Sequence, residues 1–114
     1  MIYKILSQHE WDHAQQSGVF KGSGIDIQDG FIHFSASSQL AETAAKHFGG
    51  QKNLVLLAVD EETLGSDLKW EVSRGGDLFP HLYANLELST IHGSYPLPLD
   101  QNGRHVFPDV VLNS

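Results

Sequence analysis

The run "IYKIL" at residues 2–6, apolar but for Lys4, predicts a short opening strand. Ser7 and Glu10 then stand at capping-box spacing, so a helix is expected to run to about Ser17, with Gly18 as its left-handed cap. The glycine-punctuated stretch "FKGSGIDIQDG" reads as a loop and "FIHFS" as a strand. Ser35, Ser37 and Ser38 offer N-caps for a second helix, "SQLAETAAKHF", in which Leu40, Ala44 and Phe48 share a face before Gly49 and Gly50 end it. "NLVLLAVD" at 53–60 shows no alternation, the pattern of a strand buried on both faces. "LKWEVS", "HLYANLEL" and "STIHGSYPLPL" read as further strands, and "QNGR" at 101–104 as a tight hairpin turn. Strands outnumber helices, and both helices come early. The expected fold class is therefore α+β, in a single domain spanning 1–114.

A chain of 114 residues, 40% of them hydrophobic, is long enough to bury one core without staples. It has no cysteine, which excludes a disulfide framework and a thiolate nucleophile. The N-terminal residues lack the pattern of a signal peptide, and the longest apolar run, "LVLLAV", is too short to span a bilayer. A soluble cytoplasmic protein with no membrane partner is the expectation. The net charge of −7 and the seven scattered Lys and Arg residues form no basic patch. That argues against a nucleic-acid partner, whose binding rests on phosphate neutralisation, and leaves room for a pocket taking a small anionic ligand.

Four polar constellations bear on chemistry. "HEWDH" at 9–13 fits the HExxH zinc pattern, but helical projection puts Trp11, Ala14 and Gly18 on the core side and His9 and His13 opposite, facing water. Glu10 is also committed to the cap, so no metal is assigned. In "GFIHFS", alternation sends Ile32 and Phe34 to the core and Phe31, His33 and Ser35 to the other face, just before a helix N-terminus suited to an anion. The bland alternative is a histidine bonded to a neighbouring strand and a serine that only caps the helix. In "LKWEVS", Lys69, Glu71 and Ser73 share one face, with Trp70 and Val72 on the other as core residues. Glu71 could orient a sugar hydroxyl or steady a developing cation, or could simply pair with Lys69 or Arg74. In "RGGDLFPHLY", His81 and Tyr83 share a face and could clamp a ring or relay a proton; as core residues they would need partners. Glu71, His81 and Tyr83 are the catalytic candidates, and His33, Ser35 and Arg74 the ligand-binding ones. His33, Ser35, Glu71, His81 and Tyr83 are expected to line one cleft, with Arg74 nearby.

The order "IYKI … EW … DGFIHFS … QL … LVLLAVD … LKWE … GG … FPHLY" closely resembles the bacterial domain-of-unknown-function family 952, over nearly the whole chain to about Leu88. The resemblance implies an ADP-ribosyltransferase-like fold, two small sheets forming a cleft, nearest the RNA 2′-phosphotransferase branch. It places Tyr3 or Lys4 where such enzymes carry a nicotinamide-site histidine, matches His33 and Ser35 to the second-strand element, and lets Glu71 stand for the catalytic glutamate. The implied activity is transfer chemistry on NAD, as substrate rather than resident cofactor, or on a related small nucleotide. The alternative is a non-catalytic module binding a small molecule or peptide in the same cleft.

Overall fold

The computed structural model describes residues 1–112. Strand β1 (Ile2–Ser7) leads into helix α1 (Gln8–Ser17), the two-residue strand β2 (Val19–Phe20), helix α2 (Gly24–Asp29) and the two-residue strand β3 (Ile32–His33). Helix α3 (Leu40–Phe48) and strands β4 (Leu54–Val59), β5 (Leu68–Val72) and β6 (Leu78–Leu82) follow. Strands β7 (Leu86–Glu87) and β8 (Ile91–Pro96) and a last short helix, α4 (Asp109–Leu112), complete the described chain. The strands form two three-stranded sheets, ordered β1-β4-β8 and β3-β6-β5, and a two-stranded ribbon of β2 and β7; every pairing is antiparallel.

The β1-β4-β8 sheet divides the core in two because its middle strand is apolar throughout. Val55, Leu57 and Val59 point to one face with Ile2 and Leu6, packing on Ala14, Phe20, Phe34 and Leu82 from α1 and the smaller sheets. Leu54, Leu56 and Ala58 point to the other with Tyr3 and Ile5, packing on Leu40 and Ala44 of α3 and on Leu97 and Val111. Every residue of β4 is buried, as the unbroken hydrophobic run predicted. Burying each of these aliphatic side chains contributes about 1.5–3 kcal/mol.

The start of α1 follows the sequence closely. Ser7 Oγ accepts the Glu10 N–H at 3.0 Å and Glu10 Oε1 accepts the Ser7 N–H at 3.0 Å. Gly18, at φ 82°, ends the helix in the left-handed region that side chains rarely adopt.

Four expectations are corrected. The stretch read as a loop contains α2, because the Asp26 carboxylate accepts the Ser23 N–H at 2.8 Å and turns the chain into a helical cap. "FIHFS" is not one strand. Its first half pairs with β6, whereas Ser35 forms an isolated bridge to Tyr3 of β1, so the segment crosses from one sheet to the other. Trp70 and Val72 are not core residues: β5 is the edge strand of its sheet, and they are 40% and 70% exposed on its outer face. The "QNGR" turn is wider than a two-residue hairpin. It lies between paired Leu99 and His105, and Asp100 Oδ1 gathers the Asn102 and Arg104 N–H groups.

Candidate functional site

A cavity of about 880 Å³ opens beside the outer edge of β1, between the two three-stranded sheets, α2 and α3. Its walls include His33, Ser35, Arg74 and His81, four of the six residues singled out from the sequence. Glu71 and Tyr83 are not among the lining residues. They lie behind His81, tied to it: Glu71 Oε1 accepts from His81 Nδ1 at 2.9 Å and from the Tyr83 hydroxyl at 2.6 Å. The five expected to line one cleft therefore split into a lining set, which Arg74 joins, and a supporting pair. The reason is positional. Tyr83 lies just past the end of β6 and is 41% exposed, whereas His81, inside the strand, is 4% exposed.

Ser35 does not cap a helix. Its hydroxyl lies 3.0 Å from Thr43 Oγ1, and Gln39 Oε1 accepts the Ala36 N–H at the helix start instead. Thr43 also receives Arg74 Nη2 at 3.0 Å, so Ser35, Thr43 and Arg74 form one chain of polar contacts across the cavity wall. The Arg74 guanidinium stacks over the Phe79 ring at 4.8 Å and lies 3.4 Å from the exposed Glu42 carboxylate. Phe31 is an addition to the sequence-derived set. Its ring stacks on His81 with centroids 4.1 Å apart and also touches His33 and Tyr83, binding the histidines and the tyrosine into one aromatic cluster.

The organiser of this wall, Asp26, is absent from the sequence-derived candidates. It is 2% exposed and accepts from Lys4 Nζ at 2.9 Å, the His33 N–H at 3.1 Å and His33 Nδ1 at 2.6 Å. Burial alone would raise its carboxyl. The His33 hydrogen bond, the Lys4 charge and the backbone N–H of Ser23 outweigh it and hold the carboxyl at about 2. Lys4 is itself buried, which lowers its ammonium below the usual range despite Asp26 beside it. The second His33 nitrogen, Nε2, lies 3.0 Å from Asp29 Oδ2. With a carboxylate at each ring nitrogen, both contacts are hydrogen bonds only in the imidazolium form. Gly22 admits this arrangement: a Cβ there would sit 2.9 Å from that of Asp26, on a backbone at φ 114°. The available signal was the S-x-x-D spacing of Ser23 and Asp26, a second capping pattern like that of Ser7 and Glu10.

The electrostatics of the cavity differ from those of the rest of the chain. Three of the seven Lys and Arg residues line it (Lys4, Lys46, Arg74), against two of the fourteen Asp and Glu residues (Glu10, Asp29). His47, at the same wall, is lowered by burial and by the positive charges of Arg74, Lys46 and His33. Glu71 is lowered in turn, chiefly by the Tyr83 hydrogen bond and then by that of His81, which keeps it a carboxylate. Two buried polar atoms have no hydrogen-bond partner among the described residues, Tyr3 Oη and His81 Nε2, and both residues line the cavity.

The HExxH pattern resolves as helix surface. His9 and His13 are exposed, their rings 5.1 Å apart, Glu10 is held in the cap, and Trp11 is half-buried against the core. Among the described residues no group of three or more His, Cys, Asp or Glu side chains is placed to hold a metal ion, and no helix is long and apolar enough to cross a membrane.

The sequence profile of the family "Protein of unknown function (DUF952)" matches residues 5–94, and the chain belongs to that family. It is similar to protein CC0527 of Caulobacter crescentus, whose crystal structure is 56% identical over 97% of each chain with a TM-score of 0.93. The solution NMR structure of CC0527 is 55% identical, covers 99% of this chain and 97% of that one, and gives a TM-score of 0.87. No curated protein matches the chain.

Proposed function

We propose that the protein binds NAD or a related small nucleotide in the cavity, with the phosphates toward Arg74, Lys46 and His47 and the apolar ring system against Phe34, Phe48 and Phe79. The observation that carries this reading is the gathering of cations around a cavity of nucleotide size in a chain of net charge −7. About 880 Å³ lies within the roughly 300–1,000 Å³ of small-molecule sites. The sequence resemblance to ADP-ribosyltransferase-like proteins supports the same ligand class and makes group transfer the reaction to test.

A non-catalytic binding module is the second reading, and one feature favours it. The carboxylate assigned to charge stabilisation, Glu71, lies outside the cavity lining with Oε1 already engaged by His81 and Tyr83. The experiment is a thermal-shift panel of inorganic phosphate, AMP, ADP-ribose and NAD, followed by nicotinamide release with NAD. A ligand that binds only the native state must raise the melting temperature. Stabilisation by the nucleotides supports the site, and turnover of NAD separates transferase from binder. No shift with any of the four rejects the reading.

A further inference from the structure

We propose that Glu71 is a positioning residue that fixes His81 with its proton on Nδ1, so that Nε2 meets the cavity as a bare acceptor and selects ligands that present a hydroxyl or N–H donor beside their anionic group. The inference rests on the ligand-binding reading of the cavity and specifies what that ligand must carry.

Glu71 joins two side chains through one oxygen. Its Oε1 is shared by the Tyr83 hydroxyl at 2.6 Å and His81 Nδ1 at 2.9 Å. A carboxylate oxygen accepts and does not donate, so both neighbours must donate and His81 carries a proton on Nδ1; a second proton, on the buried Nε2, would have no acceptor among the described residues. Glu71 is kept ionised by these bonds, and Tyr83, raised by the same carboxylate, stays a protonated donor. The ring cannot turn to exchange its nitrogens. It is stacked on Phe31 at 4.1 Å and edge-on to His33 at 5.5 Å, in a residue 4% exposed.

What remains is Nε2, buried and without a partner among the described residues, on a residue lining the cavity. A buried acceptor left unpaired is unfavourable, and the ligand that pairs it recovers the loss. Such a site discriminates strongly between a ligand bearing the donor and an analogue lacking it. Glu71 acts through His81 and reaches no ligand; it differs from a carboxylate that contacts the substrate itself.

The test needs no identified ligand. In long-range ¹⁵N–¹H spectra of the imidazole side chains near neutral pH, wild-type His81 is expected to show a pyrrole-type Nδ1 and a pyridine-type Nε2. Glu71→Ala is expected to shift the ring toward the Nε2–H form, and Glu71→Gln, which keeps an acceptor oxygen, to restore the wild-type pattern in part. Glycerol 3-phosphate and 1-propyl phosphate, matched in charge and chain length but differing in hydroxyls, are then titrated into the wild-type protein. The hydroxylated ester is expected to move the Nε2 resonance and to bind at least about tenfold more tightly. A wild-type Nε2–H tautomer, or a tautomer unchanged in a folded Glu71→Ala variant, overturns the role of Glu71. Equal binding of the two esters, or binding that leaves Nε2 unmoved, overturns the selection while leaving the anion site intact. If neither ester perturbs Arg74, Lys46 or His47, the cavity reading fails with it.

Discussion

Replacing Asp26 by asparagine tests the organisation of the cavity wall at the buried carboxylate behind it. The substitution preserves shape and one acceptor oxygen but removes the charge that faces Lys4 Nζ at 2.9 and 3.1 Å. Lys4 is 5% exposed, so its ammonium would be left buried and unpaired, a change that typically costs about 3–5 kcal/mol. The carboxyl itself gives a second measure. It is depressed from 3.8 to about 2, and at ~1.4 kcal/mol per unit this is worth about 2 kcal/mol at neutral pH. Because the folded value is the lower one, that stability is fully present above about pH 4 and is lost as the pH falls through about 2. Urea denaturation at neutral pH should show the Asp26→Asn variant less stable by about 3–5 kcal/mol with an unchanged slope. The deficit should narrow as the pH rises toward the folded Lys4 value, which lies below 10.5, because Asp26 raises Lys4 and its loss lets the variant shed that proton at a lower pH than the wild type. Adding Lys4→Met should recover more than half of it, because no buried charge then remains. A loss below about 1 kcal/mol, or a loss that Lys4→Met does not relieve, would refute the buried pair as the organiser.

Two further outcomes follow from the same geometry. Leu57→Ala, at a fully buried position of the central strand, should destabilise by about 2–5 kcal/mol in urea titrations, and a smaller loss would mean that β4 is not packed on both faces. Tyr83→Phe removes the 2.6 Å bond to Glu71 and should raise the Glu71 carboxyl toward its ordinary 4.5 in an NMR titration; an unmoved Glu71 would show that this hydrogen bond is not what lowers it.

What could be read from the sequence was what local chemistry dictates. The capping box of Ser7 and Glu10, the Gly18 cap and the two-faced burial of β4 each follow from a few neighbouring residues, and each is present. The alternation in "GFIHFS" places Ile32 and Phe34 in the core and sends His33 and Ser35 toward the cavity, although the strand itself ends at His33. Tertiary pairing decides the rest. Nothing in "IYKIL" marks Lys4 as buried, because its partner Asp26 is supplied by a helix twenty-two residues away. Alternation in "LKWEVS" cannot tell an edge strand from a central one, so it points Trp70 and Val72 to a core although no element covers them. The lining residues Lys46 and His47 look, in sequence, like the polar end of a surface helix. Only the approach of Arg74 and the β1 edge makes them part of a cavity.

The central claim, a small-nucleotide site in that cavity, is tested most directly by calorimetric titration of ADP-ribose into the wild-type protein and into Arg74→Ala. Saturable binding at one site per chain is expected, weakened at least about tenfold in the variant by loss of a charge-assisted phosphate contact. Absence of binding heat with folded wild-type protein at millimolar ADP-ribose at two temperatures, or equal affinity for both proteins, would contradict it.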